Sequence, residues 1–351
     1  MGKKKFENLI YDAKLAARAI SGRKIFLPEN ISPKLAVVNL TEKCNSRCIT
    51  CTCWKNIEED GISTQRAKEL LLELKELNVD MLRFSGGEPL IRKDFFEILG
   101  SVEKNSFKRI VLLTNGLLLD KYRDEINNSD ITNITVSIDG TEENNDRIRG
   151  IKGYYSKALK GLEGINKQIK IVSTLSNSLK GDIEELLDIC EKNNYDFDVN
   201  ILDSNPYFFS DPEVKQAIKD LLPKEDQIKQ IFGLLKKRGS LYNSTIENNI
   251  LSYSKHAKFL FKHRMLGYFA VYISSNGEVR TGCYSFEPVG NINRSSLKEM
   301  LDSKEYKKLA HNMFDYKCPG CTCGFGVSAM YSNPLSNLSY ISKRLKPCKR
   351  K

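Results

Sequence analysis

Three cysteines in the first sixth of the sequence, Cys44, Cys48 and Cys51, are separated by four and three positions. They follow the short apolar run 35–40, which predicts a buried strand that leads into a loop. On such a loop, this spacing allows three thiolates to face a common point. Because thiolates suit soft iron–sulfur or zinc centres, the loop predicts a metal site.

The number of ligands distinguishes the two kinds of centre. A structural zinc ion takes a closed set of four protein ligands. A cubic iron–sulfur cluster that is held by three cysteines leaves one iron free to bind another molecule. Cys53 could be offered as a fourth ligand, but it lies only two residues after Cys51 and is expected to point away from the other three. We therefore interpret Cys53 as a bystander.

Two glycines follow the next predicted strand, in the sequence Gly86-Gly87-Glu88-Pro89. Glycines allow the backbone to approach a ligand closely, and Glu88 adds a carboxylate that can accept a hydrogen bond from an ammonium group. Without the cysteine loop, an ordinary turn between a strand and a helix would explain the two glycines.

A hydroxyl and a carboxylate end the fourth predicted strand. Ser137 and Asp139 fall on the same face of a β-alternating run, and both side chains can bind ribose hydroxyls. Taken by themselves, these residues are equally well explained as a strand end that is satisfied by its own loop.

The C-x3-C-x2-C loop after a strand, followed by Gly-Gly-Glu-Pro at 86–89, resembles the radical S-adenosylmethionine (SAM) superfamily. The stretches 113–116, 135–140 and 146–150 are similar to the superfamily's sequences at the following strand ends, so the resemblance spans residues 36–177. It implies that the three cysteines hold a [4Fe-4S] cluster. The free iron of that cluster is then chelated by the amino and carboxyl groups of SAM.

The resemblance also implies contacts with SAM. The turn at 86–89 would hold the SAM amino group, Arg149 would meet the SAM carboxylate, and Asn177 would contact SAM through its amide. The predicted SAM-binding residues are Gly86, Gly87, Glu88, Pro89, Ser137, Asp139, Arg149 and Asn177.

A second group of cysteines lies near the C-terminal end of the sequence. A C-x2-C pair with a distant cysteine fits either a zinc ribbon or a second iron–sulfur cluster. A predicted hairpin at 268–280, with Asn-Gly as its turn, precedes these residues. The members of the group are Cys283, Cys318, Cys321 and Cys323.

This C-terminal arrangement resembles the SPASM/twitch extension of radical SAM enzymes, which binds auxiliary [4Fe-4S] clusters. The full extension has seven cysteine positions, and this sequence has fewer. The resemblance therefore implies one auxiliary [4Fe-4S] cluster held by Cys283, Cys318 and Cys321. Its fourth ligand is Cys323, Cys348 or an open position that binds substrate.

Alternating strand-like and helix-like segments from residue 36 to about 202 predict an α/β fold with a parallel sheet. The resemblance makes this fold a partial (β/α)6 radical SAM barrel with a small C-terminal α+β iron–sulfur domain. Sites in such folds lie at the carboxyl ends of the strands. The predicted strands are 36–40, 80–84, 109–114, 132–138, 169–175 and 197–202. The predicted helices are 64–77 with Thr64 as its cap, 94–104 with Asp94 as its cap, 154–167 and 181–193.

Five segments are predicted along the chain. They are an N-terminal basic helix and lead-in at 1–34, the radical SAM core at 35–203, a helical connector at 204–267, an auxiliary cluster domain at 268–330 and a basic tail at 331–351.

The composition is that of an ordinary soluble protein, with 40% hydrophobic and 28% charged residues among 351. No run approaches the ~18 apolar residues of a transmembrane segment, and the first residues lack the apolar core of a signal peptide. These features predict a cytoplasmic protein. The ten cysteines fall mostly in close-spaced sets, which indicates metal binding rather than disulfides.

The resemblance implies a radical SAM enzyme, an oxidoreductase or maturase. Such an enzyme reductively cleaves SAM to a 5′-deoxyadenosyl radical, which abstracts hydrogen from a substrate carbon. An auxiliary cluster could accept the electron left on the product, which favours oxidative modification, a dehydrogenation or a cross-link, of a peptide or small metabolite. The implied electron donor is a protein such as flavodoxin or ferredoxin.

Two other functions remain open at this point. The first is a redox-neutral radical epimerase or rearrangement enzyme that acts on a sugar- or lipid-type substrate. The second is a non-catalytic metal-binding module that grips nucleic acid through the basic residues behind the net charge of +11. The second is disfavoured because it gives the stretches 86–89 and 137–139 no role, and because aromatic and basic residues are not interleaved.

Overall fold

The computed structural model describes residues 30–55, 61–202, 211–238, 247–248, 250–252, 266–282 and 286–314. Within these residues, nine strands form one sheet in the order β6-β5-β4-β3-β2-β1-β7-β8-β9. The strands are β1 (Leu35–Asn39), β2 (Met81–Ser85), β3 (Arg109–Thr114), β4 (Asn133–Ser137), β5 (Gln168–Leu175), β6 (Asp196–Ile201), β7 (Ala270–Ile273), β8 (Glu278–Arg280) and β9 (Gly290–Asn291).

Helices connect the first six strands, and all of these strands pair in parallel. This arrangement confirms the predicted α/β fold, because parallel neighbours need crossover connections that are long enough to hold a helix. The described helices are α1 (Thr64–Glu76), α2 (Phe95–Leu99), α3 (Arg123–Asn128), α4 (Glu142–Arg149), α5 (Tyr154–Leu162), α6 (Leu179–Asn193), α7 (Pro212–Leu221), α8 (Glu225–Lys237), α9 (Leu266–Phe269), α10 (Leu297–Asp302) and α11 (Lys304–Phe314).

One face of the sheet is packed in the main hydrophobic core, and the other is more polar. In β2, Leu82 and Phe84 are fully buried in that core, whereas Arg83 and Ser85 on the opposite face are half-buried. The more polar face also carries Lys170 of β5, paired at 3.4 Å with Asp198 of β6. Because side chains alternate along a strand, this face continues to the carboxyl ends of the strands, where the predicted site residues lie.

The start of α1 differs from the prediction. Its cap is Ser63, whose hydroxyl accepts a hydrogen bond from the Arg66 amide at 3.2 Å. The hydroxyl of Thr64, the predicted cap, instead donates to the Asp94 carboxylate at 2.6 Å.

Helix α2 is shorter than the predicted 94–104, since it ends at Leu99. Asp94 stands at its N-cap position but makes no side-chain cap hydrogen bond. Its carboxylate binds the Arg92 guanidinium and the Thr64 hydroxyl instead.

The hairpin of the predicted C-terminal domain is part of the same sheet. Strand β7 pairs in parallel with β1, in the register Leu35↔Ala270, and β8 and β9 follow in antiparallel pairing. Its first strand begins at Ala270, because 266–269 form the short helix α9. The predicted turn is confirmed, with Gly277 at a positive φ of 87°.

Several predicted features lie outside the described residues. They include residues 1–29, most of the connector between α8 and α9, and the basic tail at 331–351. None of the described helices is both long and apolar enough to span a membrane.

Candidate functional site

The three cysteines of the predicted cluster loop follow β1 directly. Cys48 is buried, and Cys44 and Cys51 are half-buried. The loop is closed on itself by a hydrogen bond of 3.2 Å from the Cys51 amide to the Cys48 carbonyl oxygen. The indole of Trp54 donates to the same oxygen at 3.1 Å. The loop therefore folds back around Cys48.

The thiols of this described loop are not grouped around a single metal ion. Among the described residues, no three His, Cys, Asp or Glu side chains converge as they would around one metal ion. A four-iron cluster binds each thiolate through a different iron, so its ligands stand farther apart. Burial raises the pKa of Cys44 to about 11 and also raises the pKa of Cys48, so these thiols need an electropositive partner to ionise.

Cys53 differs from the sequence-based expectation. Its thiol does not point away but hydrogen-bonds the sulfur of Cys51, and its backbone amide lies 3.5 Å from the same sulfur. The thiol contact lowers the pKa of Cys51 to about 7 and raises the pKa of Cys53. Cys53 thus serves as a hydrogen-bond donor to a predicted cluster ligand.

The glycine turn after β2 packs against the cysteine loop. The amides of Gly87 and Glu88 donate to the carbonyl oxygens of Thr41 and Lys43, each at 2.8 Å. A Cβ atom on Gly87 would overlap the Lys43 carbonyl oxygen, and the turn therefore requires glycine there. Glycine thus permits a close approach of this turn to the cysteine loop, and the contact of the turn with SAM stays a prediction.

Glu88 joins the ends of β2 and β3. Its side chain is fully buried and accepts hydrogen bonds from the Leu90 amide, the Thr114 hydroxyl and the Asn115 amide at 3.1, 2.9 and 2.7 Å. Pro89 begins a short 3-10 helix (Pro89–Ile91) beside it. The carboxylate therefore fixes the turn, a role that the sequence did not indicate.

Replacement of Glu88 by glutamine is expected to remove a pH dependence of stability. Burial raises the pKa of this carboxyl to about 7 from an ordinary 4.5, against the three hydrogen bonds that favour the ion. Its stabilising effect is complete below the unfolded pKa and is lost as the pH rises through about 7. Between about pH 5 and pH 8, the free energy of unfolding of the wild type should fall relative to that of Glu88→Gln by at most about 3 kcal/mol. Urea unfolding of the metal-free proteins measures this; parallel pH curves would contradict it.

Arg149, at the end of α4, lies against Cys48. One guanidinium nitrogen is 3.9 Å from the Cys48 sulfur, and another is 2.7 Å from a carboxylate oxygen of Asp139. Burial lowers the pKa of Arg149, but the Asp139 carboxylate, Tyr154 and the Cys48 sulfur together outweigh burial and hold the pKa above its usual value. A permanent positive charge thus stands beside one of the three thiols.

Asp139 has a carboxylate with more hydrogen-bond partners within the protein than the sequence indicated. Its second carboxylate oxygen accepts from the Thr174 amide at 2.7 Å, and its own amide donates to the Asn145 side chain at 2.9 Å. Both carboxylate oxygens of Asp139 thus have protein partners, whereas Ser137 is half-buried, and the contact of either residue with ribose hydroxyls stays a prediction.

The backbone at the end of α4 is bound to the cysteine loop. The amides of Arg47 and Ile49 donate to the carbonyl oxygens of Arg149 and Ile148 at 3.1 and 3.0 Å. Gly150 ends the helix at a φ of 71°, where a Cβ atom would overlap the Arg47 carbonyl oxygen. These contacts fix Cys48 from both sides.

Asn177 lies apart from this group of contacts. Its side-chain nitrogen donates to the Asp220 carbonyl oxygen at 2.7 Å. Its backbone amide donates to the Leu221 carbonyl oxygen at 2.9 Å. In this structure Asn177 therefore joins the end of β5 to α7, and its contact with SAM stays a prediction.

Two residues near the cysteines were not among the predicted site residues. The side-chain nitrogen of Asn115 lies 3.9 Å from the Cys44 sulfur and 2.6 Å from the side-chain oxygen of Asn45. The position of Asn115 directly after β3 could have indicated a site residue. The ring of Tyr154 lies under the Arg149 guanidinium, with 5.9 Å between the guanidinium carbon and the ring centroid, and only the fold reveals this contact.

The predicted auxiliary ligands Cys283, Cys318, Cys321 and Cys323 lie outside the described residues.

Comparison with known families agrees with this geometry. Residues 38–192 match the family model of the radical SAM superfamily, and residues 265–323 match that of an iron–sulfur cluster-binding domain, SPASM. The chain therefore belongs to the radical SAM superfamily. Within the superfamily, it carries a C-terminal SPASM-type extension. These two domains imply a [4Fe-4S] cluster, SAM and an auxiliary cluster as cofactors.

Two curated relatives show how far the likeness extends. The Fe-coproporphyrin III synthase of Methanosarcina barkeri is 34% identical over 166 residues, which cover 45% of this chain and 41% of that enzyme. The match thus spans less than half of that relative's length. The GTP 3′,8-cyclase of Clostridium botulinum is 28% identical over 311 residues, which cover 80% of this chain and 92% of that enzyme.

The fold is also similar to that of a solved structure. SuiB of Streptococcus suis, bound to S-adenosylmethionine, matches with a TM-score of 0.63 at 19% identity, over 88% of this chain and 74% of SuiB. SuiB is also known bound to its precursor peptide SuiA. At this identity the likeness shows the fold alone.

Proposed function

We propose that this radical SAM enzyme modifies its substrate oxidatively, by a dehydrogenation or a cross-link that starts with removal of a hydrogen atom from carbon. The observation that carries the proposal is the cysteine loop, braced by the glycine turn on one side and by Arg149 and α4 on the other. The SPASM-type extension supports the oxidative outcome, because an auxiliary cluster can accept an electron from the product.

The residues divide into those that bind and those that orient. Cys44, Cys48 and Cys51 would hold the cluster, which supplies the electron that cleaves SAM. Ser137 and Arg149 stand at the carboxyl ends of neighbouring elements, where they would orient the ribose and carboxylate of SAM. The turn 86–89 fixes the loop, and the buried Glu88 keeps that turn in place.

The proposed substrate is a peptide or small metabolite. A peptide is supported by SuiB, which shares the fold and binds a precursor peptide. A protein such as flavodoxin or ferredoxin would deliver the electron.

A second candidate is a redox-neutral rearrangement of a small molecule. It is favoured by the likeness to GTP 3′,8-cyclase over most of both chains. The two candidates differ in their electron requirement, since only oxidation releases an electron that the auxiliary cluster must accept.

An anaerobic assay tests the proposed chemistry. The reconstituted protein should contain about eight irons, as two [4Fe-4S] clusters require, and should form 5′-deoxyadenosine from SAM when reduced with dithionite. A Cys44/Cys48/Cys51→Ala variant serves as the control and should lose about half of the iron and all of the product. Four irons with product would remove the oxidative assignment. Zinc without product would reject the enzyme.

A further inference from the structure

A buried guanidinium lies next to one of the predicted cluster ligands. The Arg149 side chain is 14% exposed, and its three nitrogens have different surroundings. One nitrogen faces the Cys48 sulfur at 3.9 Å, and a second binds Asp139 at 2.7 Å. The third, Nε, is buried and makes no hydrogen bond with any described residue. The side chain thus leaves one donor unsatisfied while it keeps the contact with sulfur.

The position of the guanidinium is set by Asp139, which is itself rigidly held. The carboxylate is 2% exposed and is fixed by the Thr174 amide at 2.7 Å, while the Asp139 backbone is fixed by Asn145. From below, the Tyr154 ring supports the guanidinium, and the Tyr154 hydroxyl is bound to the Ser137 carbonyl oxygen at 3.1 Å. Arg149 therefore cannot leave Cys48 without breaking its ion pair with Asp139.

From this geometry we infer that Arg149 raises the reduction potential of the SAM-binding cluster through the Cys48 sulfur, and that Asp139 is the positioning residue that holds it there. The inference rests on the proposed assignment of Cys48 as a cluster ligand. Reduction adds one electron to the cluster, so a positive charge and a hydrogen bond at a ligand sulfur stabilise the reduced form. This effect is separate from any contact of Arg149 with SAM.

The test is a potentiometric titration of the reconstituted protein, followed by electron paramagnetic resonance in the absence of SAM. The SAM-binding cluster is identified beforehand as the one whose signal changes when SAM is added. Arg149→Gln should move its midpoint potential to a more negative value, and Arg149→Lys, which keeps the charge but loses the planar fork, should move it less. An unchanged potential in Arg149→Gln would overturn the inference.

A matched control separates this effect from a general loss of buried charge. Arg66 is also 14% exposed and is paired with Glu73 on α1, away from the cysteine loop. Arg66→Gln should leave the potential where it is in the wild type. An equal shift in Arg66→Gln and Arg149→Gln would reject a specific role of Arg149.

The positioning role of Asp139 is tested by a double-mutant cycle. If Asp139 acts through Arg149, Asp139→Asn should shift the potential by one amount in the wild type and by a different amount in Arg149→Gln. Equal shifts in both backgrounds would mean that Asp139 acts only by its own charge, and would overturn the positioning role. The double variant contains neither buried charge and is therefore expected to fold.

Iron content keeps this inference distinct from the proposed function. Cys48→Ala should lose the SAM-binding cluster if the function is assigned correctly. Full iron in Cys48→Ala would reject the ligand assignment and the inference together. Loss of iron there with an unchanged potential in Arg149→Gln would reject the inference alone.

Discussion

Replacement of Gly87 by alanine is expected to lower the free energy of unfolding by about 2 kcal/mol or more and to impair cluster binding. The added Cβ would overlap the carbonyl oxygens of Glu42 and Lys43, which are backbone atoms and cannot rotate away. The turn and the cysteine loop must then separate, and the hydrogen bonds to Thr41 and Lys43 are lost. Urea unfolding of the metal-free protein and iron content after reconstitution measure the two effects.

The matched control for this variant is Gly181→Ala in α6. Apart from its chain neighbours and the adjacent backbone of α6, no atom lies within 4 Å of the position of its Cβ, so alanine fits there. Because alanine favours a helix over glycine by about 1 kcal/mol, this variant should keep or increase stability. If both variants kept the stability and iron content of the wild type, the close approach of turn and loop would have no structural importance.

The second large effect is expected for Asp139→Ala, at about 3–5 kcal/mol of stability. The variant leaves the buried Arg149 guanidinium without its counter-charge and the Thr174 amide without its acceptor. A buried charge without a partner is far more costly than the loss of an exposed ion pair. Urea unfolding of the metal-free protein is the measurement, since it does not depend on cluster loading.

Two controls define this result. Glu225→Ala breaks the ion pair with Lys229, whose side chain is largely exposed, and should change stability by less than about 1 kcal/mol. The double variant Asp139→Asn/Arg149→Gln should recover much of the lost stability, because no charge remains buried. A loss below about 1 kcal/mol in Asp139→Ala would show that water reaches Arg149.

The elements of the core could be read from the sequence because their patterns are local. Strands β3 and β5 were predicted to within one residue, since their apolar residues alternate or run together between polar segments. Helix α2 was predicted too long, because the prediction ran past Gly100, the C-cap residue of a helix that ends at Leu99. The pairing of β7 with β1 could not be predicted, because no local pattern specifies a partner so distant in the chain.

The site was predictable in part for the same reason. The spacing of the three cysteines and of the glycine turn is a local pattern, and the family match agrees with it. The contacts of Asp139 with Arg149 and Thr174 depend on three elements that meet only in the fold. The sequence therefore indicated the cysteine loop and the glycine turn, but not that Arg149 and Thr174 bind the two carboxylate oxygens of Asp139.

The place of β1 in the sheet has a consequence for the order of events during synthesis. Its neighbour β2 leaves the ribosome soon after it, whereas Tyr272 of β7 lies 233 residues beyond Asn39, the residue that it contacts. Until β7 emerges, β1 is an edge strand, with backbone groups that can pair with other chains. The cysteine loop begins at that edge, so a nascent chain holds its thiols beside an unfinished sheet for most of its synthesis.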